Sequence, residues 1–515
     1  MRLPLDDSSD ALVIPQSPSQ PTLPATSPAA GDTAHPVGGE IDPDPPAGEH
    51  RGDHLREDLA RWEFGFVTVN HFFFVPVTIG LAFLTALLQT AWYFRKNPEY
   101  LRLTRFFGTL LVINVAIGVV TGLVQEFQFG MNWSAYSRLV GNIFGAPLAM
   151  EGLAAFFLES TFLGLWLFGW DKLSRRVHLA TIWLVAAGSM LSALFIMAAN
   201  SWMQHPVGYV TNPKTHAPEL NDIWALFTNP VFIWGYAKVI LASLTMGAAV
   251  MLAVSAWQLR RGGAKAVFAR SARLSLFVLV PAILLTMLVG DELGVIEAKY
   301  QPMKIAAAEA QWTTCQPCSF SLFQIGGGTN DQTPTDILAI PHLLSLLATN
   351  HWNGKVIGLS PLQSQYVAKY GPGYYVPNVF IQYWSMRVMA YLAIVVTLIA
   401  LWGLWLSRRH KLETSRRFLW AAQWMVILPF LMNTAGWFLT EIGRQPWIVQ
   451  GIMLTRNGLS PSVSTAYLWI SVMVFFVVYA TLGTIDLLLM LRYARKELPD
   501  APAQSADEPV PAMQY

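Results

Sequence analysis

The sequence predicts an all-α integral membrane protein: nine transmembrane helices in bundles, with one large extracytoplasmic loop. Three observations carry this expectation. Of 515 residues, 53% are hydrophobic and only 13% charged, and the mean hydropathy is +0.39, a balance that suits a lipid-embedded chain and not a soluble enzyme. Nine apolar stretches are each long enough to cross a bilayer as a helix, which takes about 20 residues. Lys and Arg cluster after the odd-numbered stretches and are sparse after the even ones, as the positive-inside rule expects when alternate loops face the cytoplasm. The net charge is close to zero at +2, and no nucleic-acid partner is expected. No phosphate-loop or dinucleotide fingerprint occurs.

Taken in order, residues 1–58 are rich in Pro, Ser, Ala and acidic side chains and are expected to form a disordered tail. Their start lacks the basic-then-apolar pattern of a signal peptide. Residues 59–294 hold six stretches, at roughly 64–93, 104–127, 144–170, 177–202, 226–257 and 272–293. Residues 295–377 are far too long for a turn and are expected to form a domain of their own. Residues 378–496 hold the last three stretches, at 378–406, 417–440 and 465–491, and 497–515 form a second tail. Arg95 and Lys96, Arg175 and Arg176, Arg260 and Arg261, Arg408 and Arg409, and Arg492 and Arg495 mark the basic sides. They put the C-terminus in the cytoplasm and the N-terminus and long loop outside.

Ionisable residues inside the spans carry the chemistry. Glu151 and Glu159 interrupt the third stretch, with Ser160 beside the second carboxylate. A carboxylate at membrane depth costs roughly 3 kcal/mol. Two of them eight residues apart rise about 12 Å along a helix and stay on one half of it. Such a pair points to proton or ion movement, or to a bound cofactor. His71 lies two turns into the first stretch. It is either a satisfied core group or a ligand, and lipid depth favours function; imidazole is a frequent axial haem ligand. Met389 in the seventh stretch reads as packing, whereas nearby Arg387 needs an anionic partner such as a haem propionate. Trp437, Glu441 and Arg444 close the eighth stretch. They read either as a membrane-edge ion pair or as a haem ligand with its electrostatic support.

Lys238 is the only charged residue in VFIWGYAKVILASLTMGAAVMLAVSAW. It faces a polar cavity, pairs with a buried anion, or, deprotonated, binds a metal centre. In the loop, Lys304 and Glu309 are five residues apart, out of step for a helical ion pair. Composition alone makes MKIAAAEAQW a solvated loop helix. Gly326–Gly328 and Gly371–Gly373 are turn material. Cys315 and Cys318 have no further ligands at zinc-finger spacing, which favours a local disulfide in an oxidising compartment.

The strings NHFFFVP, EFQFGMNWS, FGAPLAMEGLAAFFLEST, NSWMQHPVG, GDELG, KIAAAEAQW and EIGRQPW occur in that order between Arg61 and Lys496. Together they resemble subunit I of the cytochrome bd-type quinol oxidases. The resemblance implies a subunit housing three haems: a low-spin haem b, a high-spin haem b, and a haem d or further haem b. It makes 295–377 a quinol-binding loop. It implies oxidation of quinol outside and reduction of dioxygen to water with cytoplasmic protons, generating proton motive force without pumping. A companion membrane subunit II, and often a small single-span subunit, complete such enzymes in the cell membrane.

By motif, His71 matches the histidine of one high-spin haem. Glu441 matches the carboxylate ligand of the other, with Arg444 beside it and Trp437 in the electron path. Met389 matches the methionine of the low-spin haem, Arg387 a supporting arginine, and Lys304 and Glu309 the quinol-loop pair. Glu151, Glu159 and Ser160 match the proton side, with Ser192 a weaker member. The loop resembles that of the short-loop subgroup.

One position departs from this pattern. The family's low-spin haem has a histidine opposite the methionine, and aligning from Asn229 and Pro230 puts Lys238 there. No histidine lies between His216 and His342, and His205 belongs to a different string. Lysine as axial ligand, a five-coordinate haem on Met389, or no low-spin haem are the three arrangements open. The retained Met389, Arg387 and loop pair favour a haem. The competing readings are a divergent electron-transfer subunit with another donor, and an ion-coupled transporter. The transporter predicts internal repeats or broken helices, and it leaves His71 and EIGRQPW without a role.

Overall fold

A computed structural model of the chain describes residues 50–498 except Asn330, with side chains from residue 54 onward. Most of both expected tails, 1–49 and 499–515, therefore lies outside the described residues. Among the described residues, nine helices are long and apolar enough to span a membrane. Most run past their apolar stretch at one or both ends, because the capping residues that end a helix are polar and sit in the flanks; the third stops two residues short of the expected end and the fifth starts four residues late.

The first helix, His50–Arg95, begins inside the stretch expected as tail, since HLREDLARW is built largely of good helix formers. The second, Pro98–Met131, starts with Pro at its first turn, and the Asn97 side chain accepts from the Glu99 amide at 2.9 Å. The third span comes in three parts: a helix Ser134–Met150, a π-helical turn Glu151–Phe156, and a helix Phe157–Phe168. The fourth, Arg175–Gln204, is capped by Ser174. The fifth, Pro230–Arg261, is capped by Asn229 and closed by Gly262 in the left-handed conformation. The sixth is Lys265–Tyr300 and the seventh Val379–Arg408. The eighth divides at Val426 into Arg416–Met425 and Ile427–Gly443. Pro429, which has no amide hydrogen to give to the Met425 carbonyl, lies just past this division. The ninth is Thr465–Ala494.

The first helix packs against the second, fourth, fifth and ninth, and the fifth and sixth lie side by side. The main apolar core gathers Leu84, Leu88, Phe107, Met246, Leu276 and Phe418. Two glycines set the closest approach. A Cβ on Gly80 would lie 2.3 Å from the Ser243 carbonyl oxygen and 2.7 Å from the Gly247 Cα. Elsewhere a closed triangle binds three spans. Gln89 accepts from Trp166 Nε1 (2.7 Å) and its amide faces His178 Nδ1 (2.8 Å), while His178 Nε2 meets the Trp166 carbonyl (2.8 Å).

The connection between the sixth and seventh spans is folded. It holds a helix Pro302–Ala308, an antiparallel hairpin of Phe320–Ile325 with Thr335–Ile340, and helices Leu343–Thr349 and Leu359–Tyr370. Gly326 and Gly327, at φ 77° and 73°, follow the first hairpin strand, and Gly371, at φ 92°, ends the last helix. Cys315 and Cys318 are joined in a disulfide. Met303, Trp312, Leu359 and Leu362 form a separate apolar cluster that reaches Tyr383 of the seventh span and Trp447 beyond the eighth.

Replacing Gly80 with Val should separate the first and fifth helices. Overpacking costs typically 1–3 kcal/mol, and contact with rigid backbone puts this case at the upper end. The expected outcome is a lower melting temperature of the detergent-solubilised protein, followed by tryptophan fluorescence.

Candidate functional site

His71 enters the bundle where the second helix offers Gly122. A Cβ there would stand 2.9 Å from the imidazole Cε1. His71 Nδ1 lies 3.1 Å from Thr121 Oγ1. The single hydroxyl hydrogen of Thr121 goes to the Gly118 carbonyl at 2.8 Å, so the imidazole is the donor in that contact. This leaves the lone pair on Nε2 free, the state a metal-ligating histidine needs. The next residue, Phe72, stacks on Trp437 with ring centroids 4.1 Å apart. One turn beyond Trp437 comes Glu441. Its Oε1 accepts from Asn200 Nδ2 at 2.8 Å and its Oε2 from Arg444 Nη2. Arg444 is 5% exposed, yet its Nε and Nη1 have no protein partner. Two buried N–H donors left over beside a carboxylate suit an anionic arm of a bound cofactor.

Lys238 of the fifth span and Met389 of the seventh line one cavity, together with Trp437, Glu297, Asn200 and Gln204. Gly235 and Gly436 also line it, and a Cβ on Gly436 would come within 3.3 Å of Met389 Sδ. A lysine and a methionine, both residue types that can ligate a haem iron, thus border one space.

The expectation of a solvated loop helix around Lys304 and Glu309 is overturned: Lys304 is 0% and Glu309 7% exposed. Neither pairs with the other. Lys304 Nζ donates to Glu297 Oε1 at 2.9 Å and to Gln204 Oε1 at 2.8 Å. Glu309 holds Arg387 in a bidentate pair, at 3.1 and 2.7 Å. Arg387 also donates to the carbonyls of Ala308 and Ser321 and lies over the Tyr383 ring, 3.9 Å from its centroid. The anionic partner that Arg387 needs is thus supplied within the chain, by Glu309. Burial pushes the Glu309 carboxyl up while Arg387 pulls it down, and burial lowers Lys304 against the opposing Glu297.

Glu151 and Glu159 both turn towards the fourth span. Glu151 accepts from Ser192 Oγ at 2.6 Å and Glu159 from Ser189 Oγ at 2.8 Å. In a uniform α-helix the two carboxylates would diverge by about 80°. The π turn winds less per residue and closes that gap. Ser160 does not join them; its exposed hydroxyl bonds back to the Phe157 carbonyl at 3.3 Å.

Several residues were not singled out by sequence. Ser189, Glu297 and Thr121 carry no local signal. Asn200 and Gln204 lie inside NSWMQHPVG at helical i, i+4 spacing, which put their amides on one face. Glu63, 1% exposed, accepts from Gln128 (2.7 Å), Asn132 (2.8 Å) and Ser471 (2.5 Å). Two of those donors belong to EFQFGMNWS.

The described residues thus form a polytopic helical bundle with an internal cavity, lined by Lys238, Met389 and Trp437, beside a charge-paired loop: an integral membrane protein with an interior binding site. A sequence model of the cytochrome bd terminal oxidase subunit I family matches residues 59–498. The chain belongs to that family, and it is a multi-pass membrane protein. It is 43% identical over 439 residues to cytochrome bd ubiquinol oxidase subunit 1 of Bacillus subtilis, covering 85% of this chain and 93% of that one. Cytochrome bd-II ubiquinol oxidase subunit 1 of Escherichia coli is 36% identical, covering 85% and 96%. The structure of bd oxidase from Geobacillus thermodenitrificans matches with a TM-score of 0.78 at 28% identity, covering 86% and 99%. Membership leaves the transporter reading without support.

Arg387→Met should leave Glu309 buried and unpaired, at a cost of about 3–5 kcal/mol. Thermal unfolding of the purified protein should show the loss, and Glu309→Gln in the same chain should recover part of it. An unchanged melting temperature would mean that the pair does not anchor the loop.

Proposed function

We propose that this chain is the haem-carrying subunit of an oxidase that takes electrons from quinol and reduces dioxygen to water. The observation that carries the reading is the shared cavity of Lys238 and Met389, with Trp437 on its wall and the His71 helix behind it. Bound haems, a low-spin haem b and two high-spin haems, would supply electron transfer and oxygen reduction. The residues supply ligation, position and protons.

Lys238, as a neutral amine, would offer a nitrogen ligand in place of imidazole, and Met389 a thioether ligand, to a haem held in this cavity. His71 presents Nε2 because Thr121 holds its other nitrogen. Glu441 is oriented by Asn200 and Arg444, whose spare N–H groups would meet a propionate. Trp437, between the cavity and Phe72, gives electrons a short aromatic route. At the loop, Lys304 and Glu309 meet the quinol headgroup, whose hydroxyl protons need acceptors as electrons leave. Glu309 is kept in place by Arg387, which thus serves the quinol side more than the haem. Glu159 with Ser189, then Glu151 with Ser192, would pass protons from the cytoplasmic side; Ser160, whose hydroxyl bonds back to Phe157, has no contact with either carboxylate.

The basic flanks support an outer N-terminus and loop and a cytoplasmic C-terminus. Electrons and protons then meet from opposite faces, which makes proton motive force without a pump. A companion subunit II, with or without a small single-span subunit, would complete the enzyme in the cell membrane. Residues 295–377 act as the quinol-binding loop between two helical blocks, 59–294 and 378–496.

The purified membrane complex should show haem bands and quinol-dependent oxygen uptake; a complex without haem bands sinks the proposal. Lys238→Ala should change the low-spin bands, and an unchanged spectrum would remove lysine as a ligand. Glu159→Gln should slow oxygen uptake by about tenfold or more, as loss of a positioned proton carrier does, with the haem spectrum intact. Equal turnover in that variant would exclude Glu159 from the proton route.

A further inference from the structure

One wall of the Lys238–Met389 cavity carries a continuous hydrogen-bonded chain. Lys304 Nζ donates to Gln204 Oε1, Gln204 Nε2 donates to Asn200 Oδ1, and Asn200 Nδ2 donates to Glu441 Oε1, each at 2.8 Å. Gln204 and Asn200 stand one turn apart on the fourth span, so a single helix face holds both amides. Gln204 is 3% exposed, and its own carbonyl accepts from Gln301 Nε2 at 2.9 Å, which ties the same residue to the loop a second time.

The ends dictate the direction of this chain. An ammonium offers only donors and a carboxylate only acceptors. Each amide must therefore turn its oxygen towards Lys304 and its NH₂ towards Glu441; reversing either would set donor against donor or acceptor against acceptor. With the dipoles aligned head to tail, each bond polarises the next. Neither amide has a titrating proton, so the chain transmits position and polarisation and does not conduct protons. Both ends are pinned from the side as well, Lys304 by Glu297 and Glu441 by Arg444.

We propose that Gln204 and Asn200 are positioning residues that couple the quinol site to the haem-side carboxylate Glu441. A quinol headgroup that draws Lys304 towards itself weakens the bond to Gln204, and the two amides pass that change to Glu441 Oε1. The inference rests on the assignment of Lys304 to quinol and of Glu441 to a high-spin haem made under Proposed function. Coupling of this kind is reciprocal: a ligand at the haem must alter quinol-site affinity by the same factor.

The test uses the purified reduced complex, an alkyl hydroxyquinoline N-oxide as quinol-site probe, and carbon monoxide as haem ligand. Carbon monoxide should change the Kd of the probe by about fivefold or more, the lower end of ordinary allosteric coupling. In Gln204→Leu, which keeps the volume and removes both hydrogen bonds, the ratio should fall to about one while the probe still binds. The shift of the high-spin haem band on adding the probe should vanish with it. Gln204→Glu keeps the acceptor for Lys304 but sets a second oxygen against Asn200, and it should uncouple in the same way. If Gln204→Leu does not assemble, Gln204→Glu and Asn200→Leu supply the same readout. A wild-type ratio near one, or a ratio unchanged in the variants, overturns the coupling. A wild-type complex without haem bands would instead bring down the assignment of the site itself.

Discussion

The bidentate contact between Arg387 and Glu309 is the interaction on which the loop end of this molecule depends. It makes one rigid joint from three elements: the seventh span, the short helix Pro302–Ala308 and the hairpin strand that begins at Phe320. Met389 lies two residues beyond Arg387, so the depth of the thioether in the cavity follows from the same joint. Lys304, one turn and a half before Glu309, is delivered to Gln204 and Glu297 by it. A buried pair of this kind contributes little net stability, because desolvating both charges costs nearly what their attraction returns. Its value is geometric. A guanidinium with five hydrogen bonds has one orientation, and everything attached to it inherits that orientation.

The same rule governs the carboxylates within the spans. Lipid offers no hydrogen-bond donors, so each acidic group must find its own inside the bundle. Glu441 takes Asn200 and Arg444, Glu151 takes Ser192, Glu159 takes Ser189, and Glu63 takes three donors. In every case but Arg444 the donor comes from another span. These bonds therefore tie helices together as well as satisfy charge, and the fourth span, which supplies three of the donors, becomes the polar spine of the protein. A flat cofactor can be held with little play only if such a spine fixes the surrounding walls.

The sequence made the spans legible because length and hydropathy alone decide what crosses a bilayer. It blurred some of their ends: Asn97 and Ser174 cap helices that begin before the expected stretch, whereas Asn229 caps one that begins four residues after it. Single residues with membrane-depth charge were also legible, since their cost marks them. Their partners were not. Ser160 follows Glu159 in sequence, yet adjacent residues on a helix point about 100° apart, and the hydroxyl that reaches Glu159 belongs to Ser189. Lys304 and Glu309 have the wrong spacing to pair, and a local reading sends them to solvent. Their partners are Glu297, seven residues back, and Arg387, seventy-eight ahead. The π turn escaped for another reason: EGLAAF has nothing to distinguish it from an ordinary apolar helix.

Lys238 is the residue at which reading by resemblance and reading by structure have to meet. A lysine stem is longer and more flexible than an imidazole, so it cannot simply occupy the volume a histidine would leave. The space it needs is present. Gly290, the first residue of GDELG, faces it, and a Cβ there would approach Cε to 3.5 Å and Nζ to 3.8 Å. A Cβ alone would sit there in ordinary contact, so only a side chain reaching beyond Ala would press on the stem. Glu297, two turns further along the same helix, lines the same cavity and supplies a carboxylate to balance whatever charge the amine and a bound metal centre bring. The sixth span thus accommodates the lysine twice, sterically at Gly290 and electrostatically at Glu297.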